Sequence, residues 1–137
     1  MKRMIQLTAA MFLLSLGNPG FAQQTNKRMK AKILFVVTSH DTKGSTGEKT
    51  GYYLAEVSHP WKVLTEAGYE IDFVSPKGGN PPYYGANNED LINQRFLADK
   101  KYQAKIQNTM KPSEVNPSDY TAILYAGGHG TMWDFAD

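Results

Sequence analysis

A glutamate and a glycine-rich turn are the first residues in this sequence whose types suggest chemistry. Glu56 lies in the segment TKGSTGEKTGYYLAEVSHPW, residues 42–61, and Gly127–His129 open the segment GGHGTMWDFAD. A carboxylate can act as a general acid or base, and the backbone amides of a tight glycine turn can stabilise an oxyanion. Each segment follows an apolar run. If the two runs are neighbouring strands of one sheet, Glu56 and the glycine-rich turn should lie in the same site.

The first of these segments also carries Lys49-Thr50 in a glycine-rich loop, a composition typical of phosphate-binding loops. A P-loop requires G-x-x-x-x-G-K-[ST], because its backbone amides cradle the phosphates. Lys43 stands where the first glycine is needed, and Glu48 stands directly before Lys49. The G-x-G-x-x-G pattern is missing too. The sequence therefore excludes nucleotide binding by this loop and predicts a flexible polar loop.

Charge and composition exclude several function classes. The formal net charge of the 137 residues is +2, too small to favour nucleic acid or an anionic membrane as a partner. Because the sequence has no cysteine, disulfides, thiolate metal sites and a cysteine nucleophile are excluded within it. Its histidines, His40, His59 and His129, show no spacing typical of metal ligands. No metal and no cofactor are therefore predicted, and His59 beside Pro60 is expected to be a structural residue or one that supports a site without touching the ligand.

Three apolar runs predict the strands of a parallel sheet. They are Ile33–Val37, Tyr69–Ser75 and Tyr120–Ala126. Strands buried on both faces are rich in β-branched and apolar residues, and a short strand, helix, strand connection makes the first two runs a parallel pair. The predicted order is 2-1-3, which leaves the third strand as an apolar edge. Such an edge predicts a fragment or completion by another chain, and a three-stranded mini-domain is the alternative.

A helix between the first two strands is predicted from a stripe of apolar residues. The stripe, at spacings of three, four and three, consists of Leu54, Val57, Trp61 and Leu64. Pro60 falls inside it, so a kink or a restart of the helix is expected there. Ala67-Gly68 supplies the glycine at which the helix ends.

Residues 89–110 carry a polar helical pattern, which predicts one or two short helices over an end of the sheet. Their expected role is a solvated surface cover. The following segment PSEVNPSDY predicts a capped loop before the third strand. After the glycine turn, Gly130 or Thr131 can begin only a short helix.

The N-terminus predicts export. MKRM is a basic start, IQLTAAMFLLSLG is an apolar run too short for a comfortable membrane span, and Ala22 suits a cut site. Residues 1–22 are therefore predicted to be a signal peptide, residues 23–30 a flexible leader, and residues 31–137 the domain. The mature protein would be periplasmic or secreted, without a stable membrane anchor. An uncleaved anchor is the alternative.

The predicted sheet decides whether Glu56 and the glycine turn meet. In open parallel sheets, ligands bind outside the carboxyl ends of the strands. Glu56 follows the first strand closely, and Gly127–His129 follow the third. We therefore expect a half-buried carboxylate beside free backbone amides. The alternatives are a solvated Glu56 on the helix surface and a His129 without chemistry in a loop.

At these residues the sequence resembles a known superfamily. KTGYYLAEVSHPW, GYEIDFVSPKGG, PSEVNPSDY and AGGHGTMWDF resemble the PfpI-type superfamily, which has a class I glutamine amidotransferase-like fold. Within it they look closest to the heat-shock-chaperone branch with the glutathione-independent glyoxalases (glyoxalase III). The resemblance extends over residues 30–137, and the pairing of T-G-x-x-x-x-E-x-x-H-P with G-G-H-G-T-x-x-D is specific.

The resemblance implies a flavodoxin-like three-layer α/β/α sandwich, of which this sequence holds the N-terminal part. Glu56 matches the glutamate that hydrogen-bonds the family's catalytic cysteine, and Gly128 matches the glycine whose amide contributes to the oxyanion hole. His129 belongs to the same motif but is not the histidine of the catalytic triad. The cysteine on its strand-to-helix elbow, its histidine and the acidic residue that orients that histidine are expected after residue 137.

The activity that the resemblance implies is the cofactor-free conversion of methylglyoxal to lactate, a lyase reaction. A thiolate would add to the aldehyde, and an acid/base, for which Glu56 stands, would move a proton between the two carbons of the enediol. Without the cysteine, this chain is expected to be inactive alone. The substrate would be a small aldehyde, whose binding residues are not assigned, and the full-length relatives are expected to be homodimers. Deglycase, peptidase and stress-chaperone roles, and a non-catalytic holding chaperone or amidotransferase-like domain, are the alternatives.

Overall fold

Five strands and four α-helices build the part of the chain that the structure describes. The structure, a computed structural model, describes residues 31–136, so the predicted signal peptide and leader lie outside the described residues. In chain order the elements are β1 (Lys32–Val36), β2 (Tyr52–Tyr53), α1 (Leu54–Glu66), β3 (Glu70–Val74), β4 (Tyr83–Tyr84), α2 (Leu91–Ala98), α3 (Lys100–Ile106), β5 (Ala122–Tyr125) and α4 (Thr131–Asp134). None of the helices in this range is long and apolar enough to span a bilayer.

The centre of the fold is a parallel sheet in the order β3-β1-β5, as the sequence predicted. β1 lies between its two neighbours, with Phe35 opposite Phe73 on one side and Leu124 on the other. β3 and β5 are shorter than their apolar runs, because the chain leaves the sheet where its amides find partners in loops. One example is Ser75, whose N–H donates to the Met110 carbonyl at 3.0 Å.

Helix α1 packs its predicted apolar stripe on the sheet. Leu54, Val57 and Trp61 are buried. Pro60 lies inside the helix without ending it, so the predicted restart is wrong. Proline removes one backbone hydrogen bond of the helix, and burial of Val57 and Trp61 on either side of it offsets that loss. The helix ends before Gly68, whose φ of 91° suits the glycine cap predicted there.

Helices α2 and α3 form part of the core, so the prediction of a solvated surface cover is wrong. Phe96, Tyr102 and Ile106 are buried in the same cluster as the residues of α1 and β3. The Phe96 ring meets Trp61 edge-on, with 5.3 Å between ring centroids. Asp99 separates the two helices and caps α3, so the buried residues do not follow one helical period. That break hides the buried face from a search for helical periodicity.

The two faces of the sheet are covered unequally. Helices cover the face that carries Phe35, while Leu34 and Val36 line a groove of about 310 Å³ on the other face. Ile123 and Tyr125 of β5 also line this groove and are 50% and 68% exposed. The predicted apolar edge is therefore present on β5.

A two-stranded parallel ribbon of β2 and β4, which the sequence did not predict, lies beside the sheet. Two residues are too few to show the alternation by which strands are recognised. The approach of the two strands requires Gly51, because a Cβ there would overlap the Pro82 carbonyl. Tyr52 N–H donates to that carbonyl at 3.0 Å. The ribbon therefore fixes the point at which α1 begins.

Candidate active site

Glu56 and the glycine turn meet at the carboxyl end of the sheet. The chain leaves β1 towards β3 on one side, while β5 lies on the other side, so the crevice between β1 and β5 is a topological switch point. There the Gly127 N–H donates a hydrogen bond to the Glu56 carboxylate at 2.6 Å, which confirms the predicted proximity. Glu56 is exposed, however, and not half-buried as expected.

Backbone hydrogen bonds from the start of α1 hold the turn in place. Tyr53 N–H donates to the Gly127 carbonyl at 3.0 Å, and Gly130 N–H donates to the Gly51 carbonyl at 3.3 Å. α1 begins directly after Tyr53, so Glu56 lies in its first turn, next to the residues that are bound. The position of the carboxylate is therefore set by backbone atoms.

Two glycines of the turn lie close to their surroundings, and Gly128 is the one that backbone atoms require. Gly128 has a φ of 128°, and a Cβ there would lie 2.5 Å from the Gly51 carbonyl oxygen and 2.6 Å from the Tyr53 nitrogen. These backbone atoms cannot move aside without breaking the hydrogen bonds between the turn and β2. A Cβ on Gly127 would overlap the Glu56 carboxylate. A larger residue at Gly128 would push the turn away from β2, whereas one at Gly127 would displace the exposed Glu56 carboxylate and break its hydrogen bond to the turn.

One of the turn's three amides remains available to a ligand. The Gly127 amide is taken by Glu56, and the His129 amide donates to the Tyr84 hydroxyl at 3.3 Å. The Gly128 amide has no acceptor among residues 31–136. The sequence predicted free amides along the turn without distinguishing them, and the structure leaves Gly128 as the one that can donate to an oxyanion. The catalytic roles of Glu56, Gly128 and His129 stay predictions.

Tyr84 is a residue of the site that the sequence did not reveal. Its ring lies 5.3 Å from the His129 ring and 5.3 Å from the Tyr53 ring, measured between centroids. Gly85 permits this packing, because a Cβ there would overlap the Tyr53 ring. The rings of Tyr53, Tyr84 and His129 thus form an aromatic wall beside the turn. A two-residue strand in a proline-rich loop carries no pattern from which this contact could be found.

Asp134 anchors α4 to the loop that follows β1. Its carboxylate accepts hydrogen bonds from the Thr38 hydroxyl at 2.6 Å and from the Ser39 N–H at 2.7 Å. Hydrogen bonds to an ionised acceptor are the stronger kind. Asp134 is the last residue of the motif G-G-H-G-T-x-x-D, so its spacing was a signal, although its role as an anchor was not predicted. The turn is therefore fixed on both sides, by β2 and by α4.

The other two histidines serve helix capping and packing. His59 makes a 2.7 Å contact with the Asp90 carboxylate, which caps α2 through the Ile92 N–H. The hydrogen bond with His59 lowers the pKa of Asp90 below its usual value. His40 stacks on Trp133 with ring centroids 4.8 Å apart. His59 therefore contacts a helix cap, and its structural role stays a prediction. The described residues contain no group of three or more His, Cys, Asp or Glu placed to hold a metal ion.

The arrangement can move a proton and polarise a carbonyl group. Glu56 can accept or deliver the proton, and the Gly128 amide can bind a developing oxyanion. The 137 residues contain no cysteine, so chemistry that starts with attack by a thiolate needs a thiol from outside them.

Curated proteins similar to this chain are named as glyoxalases. Over 110 residues the chain is 32% identical to the glutathione-independent glyoxalase HSP31 of Saccharomyces cerevisiae, a match that covers 76% of this chain and 46% of that protein. It is 28% identical over 113 residues to glyoxalase 3 of Candida albicans, with 76% and 47% covered. The chain therefore spans about half the length of the curated relatives it matches. No family model matches it.

Solved structures agree with these matches. The X-ray structure of the Rapid Encystment Protein 24 kDa of Francisella tularensis matches with 42% identity and a TM-score of 0.73, over 80% of this chain and 49% of that one. The crystal structure of glyoxalase III from Candida albicans matches with 26% identity and a TM-score of 0.62, over 77% and 46%. Both matches confirm the predicted α/β fold of flavodoxin type with a parallel sheet.

Proposed function

We propose that this chain, which belongs to the PfpI-type superfamily that includes the glutathione-independent glyoxalases, supplies part of a glyoxalase III-like active site. The observation that supports this most directly is the hydrogen bond from Gly127 to Glu56, which sets a carboxylate beside the unpaired Gly128 amide. Curated relatives named as glyoxalases match the same stretch of the chain. The substrate would be a small aldehyde such as methylglyoxal, and the product would be lactate.

In this proposal a thiolate from outside the 137 residues adds to the aldehyde carbon, and the Gly128 amide donates to the oxyanion that forms. Glu56 takes the proton from the former aldehyde carbon, which gives an enediol, and returns it to the neighbouring carbon. The result is a thioester of lactate, which water hydrolyses to lactate and the free thiol. No outside oxidant is needed, because one carbon is oxidised while its neighbour is reduced.

Glu56→Gln tests the acid/base role in a version of the protein extended to include the thiol. We expect the rate of methylglyoxal loss and lactate formation to fall by about two orders of magnitude or more, because the amide cannot accept the proton. Glu66→Gln, at the exposed end of the same helix, is the matched control and should keep the rate. A near-normal rate in Glu56→Gln would reject the role.

The 137-residue chain provides a second test of the same mechanism. Because it has no cysteine, it should not consume methylglyoxal above the buffer rate. Turnover by this chain alone would show that a thiol is not the nucleophile, whatever the result with Glu56→Gln.

A non-catalytic holding chaperone is the second candidate, and the uncovered face of the sheet favours it. Ile123 and Tyr125 are exposed beside the apolar groove. In that case Tyr125→Ser should reduce suppression of client aggregation, and Glu56→Gln should leave it unchanged. Unchanged suppression in Tyr125→Ser would reject this face as the client surface.

A further inference from the structure

Tyr84 places a hydroxyl at the glycine turn, and the proton of that hydroxyl is unused. The hydroxyl oxygen accepts a hydrogen bond from the His129 N–H at 3.3 Å, while the O–H itself donates to no acceptor within residues 31–136. The Gly128 N–H also lacks an acceptor in this range. The turn therefore presents two donors, a backbone amide and a tyrosine hydroxyl.

Packing fixes the position of the Tyr84 hydroxyl. Tyr84 lies opposite Tyr53 in the pairing of β2 with β4, and its half-buried ring contacts the rings of Tyr53 and His129. A Cβ on Gly85 would overlap the Tyr53 ring, so this packing requires glycine there. The hydroxyl is thus held against the turn by ring contacts on two sides and by the His129 amide.

The two donors are close enough to hold one small molecule. Three backbone bonds separate the Gly128 and His129 nitrogens, so the Tyr84 oxygen lies within about 8 Å of the Gly128 nitrogen. The two oxygens of a 1,2-dicarbonyl compound are also separated by three bonds, and each can accept a hydrogen bond of about 2.9 Å. One dicarbonyl molecule can therefore bridge the Gly128 N–H and the Tyr84 O–H.

The glyoxalase chemistry proposed above needs a donor at each of these two oxygens. When Glu56 removes the proton from the former aldehyde carbon of the hemithioacetal, the electron pair of that C–H bond forms the double bond between the two carbons. The π pair of the ketone moves to its own oxygen, where negative charge develops. The Gly128 amide serves the oxygen of the former aldehyde, so the ketone oxygen needs a second donor.

We propose that Tyr84 is a catalytic residue whose O–H donates to the ketone oxygen and stabilises the enediolate, which makes 1,2-dicarbonyl compounds the substrate class of this site. The inference rests on the proposed glyoxalase function. When Glu56 returns its proton to the second carbon, the hydroxyl on the first carbon becomes the thioester carbonyl and its proton passes to the former ketone oxygen, so Tyr84 keeps its own. The His129 N–H supports this role, because a hydroxyl that accepts a hydrogen bond donates a stronger one.

Binding is tested in the 137-residue chain with pyruvamide, a 1,2-dicarbonyl compound that lacks an aldehyde. We expect a saturable shift of the Gly128 amide in nitrogen-15 NMR spectra. Tyr84→Phe should weaken binding about fivefold, because one neutral hydrogen bond is lost. The His129 N–H freed by this substitution cannot reach the same ligand oxygen, which lies one hydrogen bond further away.

Two controls accompany the titration. Tyr83→Phe removes the hydroxyl of the preceding residue, whose ring contacts Tyr52 and which lies on the opposite face of β4, so it should leave binding unchanged. Propionamide has a single carbonyl group and should bind the unmodified chain and Tyr84→Phe equally weakly.

Catalysis is tested in the version of the protein extended to include the thiol. Tyr84→Phe should lower kcat for methylglyoxal about a hundredfold, because one donor to a developing oxyanion is lost. Its kcat should also show a primary isotope effect with methylglyoxal deuterated on the aldehyde carbon, since removal of that proton then limits the rate. Tyr83→Phe should keep the kcat of the unmodified enzyme.

The outcomes separate the role of Tyr84 from the glyoxalase mechanism. The assignment of Tyr84 is overturned if Tyr84→Phe binds pyruvamide as tightly as the unmodified chain, or if it keeps kcat while Glu56→Gln loses it. A near-normal rate in Glu56→Gln rejects the mechanism itself. The pyruvamide titration needs neither the thiol nor Glu56, so it still decides whether Gly128 and Tyr84 hold a dicarbonyl compound.

Discussion

The two ends of the parallel sheet differ in how far their polar groups are paired. Towards the amino end, the Asp72 carboxylate accepts hydrogen bonds from Lys32 at 3.0 Å, from Lys105 at 2.6 Å and from the Tyr120 hydroxyl at 3.2 Å. Burial opposes ionisation of Asp72, but the hydrogen bonds from Lys105 and Lys32 outweigh it, so the pKa of Asp72 lies below its usual value. The polar side chains of this charged cluster are therefore hydrogen-bonded to one another.

Towards the carboxyl end, the Gly128 amide and the Thr50 hydroxyl have no hydrogen-bond partner within residues 31–136. The Thr50 hydroxyl is withdrawn from water, and the other buried side-chain atom without a partner in this range, Trp61 Nε1, lies on α1. The Gly128 amide is partly exposed, so it can donate to water or to a ligand. Paired polar residues at the amino end stabilise the fold, and changes at the two ends should therefore be measured in different ways.

The largest effect is expected for Gly128→Ala at the carboxyl end. The new Cβ would lie within 2.6 Å of two backbone groups, at a φ of 128° that other residues disfavour. We expect the free energy of unfolding to fall by about 3 kcal/mol or more in urea denaturation. Faster exchange of the Tyr53 amide, which donates to Gly127, would locate the loss at the contact between the turn and β2.

Gly47→Ala separates backbone strain from close approach. Gly47 also has a positive φ, 75°, but a Cβ there would meet no atom within 4 Å. The substitution should cost about 1 kcal/mol, from the backbone conformation alone. Equal losses in the two alanine variants would mean that the fit of Gly128 against β2 contributes nothing to stability.

At the amino end, Asp72→Asn should have the next largest effect. It removes the anion shared by Lys32 and Lys105, at a side chain that is only 17% exposed. Hydrogen bonds to charged groups contribute about 2 kcal/mol, and we expect a loss of that order in the free energy of unfolding. Glu66→Gln, which breaks an exposed pair with Lys62 on α1, should change stability by less than about 0.5 kcal/mol. Similar losses in both variants would show that the partial burial of the cluster has no effect.

The charged cluster also predicts the response to acid. The folded pKa of Asp72 is lowered, so between the folded and unfolded pKa values the unfolded chain binds more protons. The contribution of Asp72 to stability is therefore complete above about pH 4 and is lost as the pH falls through the folded value. In urea denaturation from about pH 6 to about pH 2, the unmodified chain should lose more stability than Asp72→Asn. Parallel curves for the two proteins would contradict the pairing at the amino end.

The sequence predicted what depends on patterns several residues long. Apolar runs were enough for the strands and their order, and the rule that ligands bind at the carboxyl ends of parallel strands placed Glu56 near Gly127. The core contribution of Phe96 and Tyr102 was missed because Asp99 divides their helical period. This prediction failed because the helical periodicity is interrupted at Asp99, not because it is weak.

Single contacts between distant residues could not be predicted. Which amide of the glycine turn stays unpaired depends on the Tyr84 hydroxyl, 45 residues before His129. The pairing of Asp72 depends on Lys32 and Lys105, which come from a different strand and a helix. Motif spacing indicates which residue types form a site. Which of their polar groups are hydrogen-bonded is decided only when the chain is folded.

A small effect on stability is expected for Tyr84→Phe, which removes the acceptor of one backbone amide of the glycine turn. Phenylalanine keeps the ring contacts with His129 and Tyr53 and removes only the hydroxyl that accepts from the His129 amide. At 3.3 Å this hydrogen bond is long, so its loss should cost about 0.5 kcal/mol in the free energy of unfolding.

Amide exchange gives the sharper readout of the same variant. The His129 amide should exchange faster in Tyr84→Phe, because its acceptor is gone, while the Gly127 amide, held by Glu56, should serve as an internal control. The turn would then offer two donors to an oxyanion, at Gly128 and at His129, in place of one. An unchanged His129 rate would mean that the hydroxyl does not occupy this amide in solution, and that both donors are already available to a ligand of the unmodified chain.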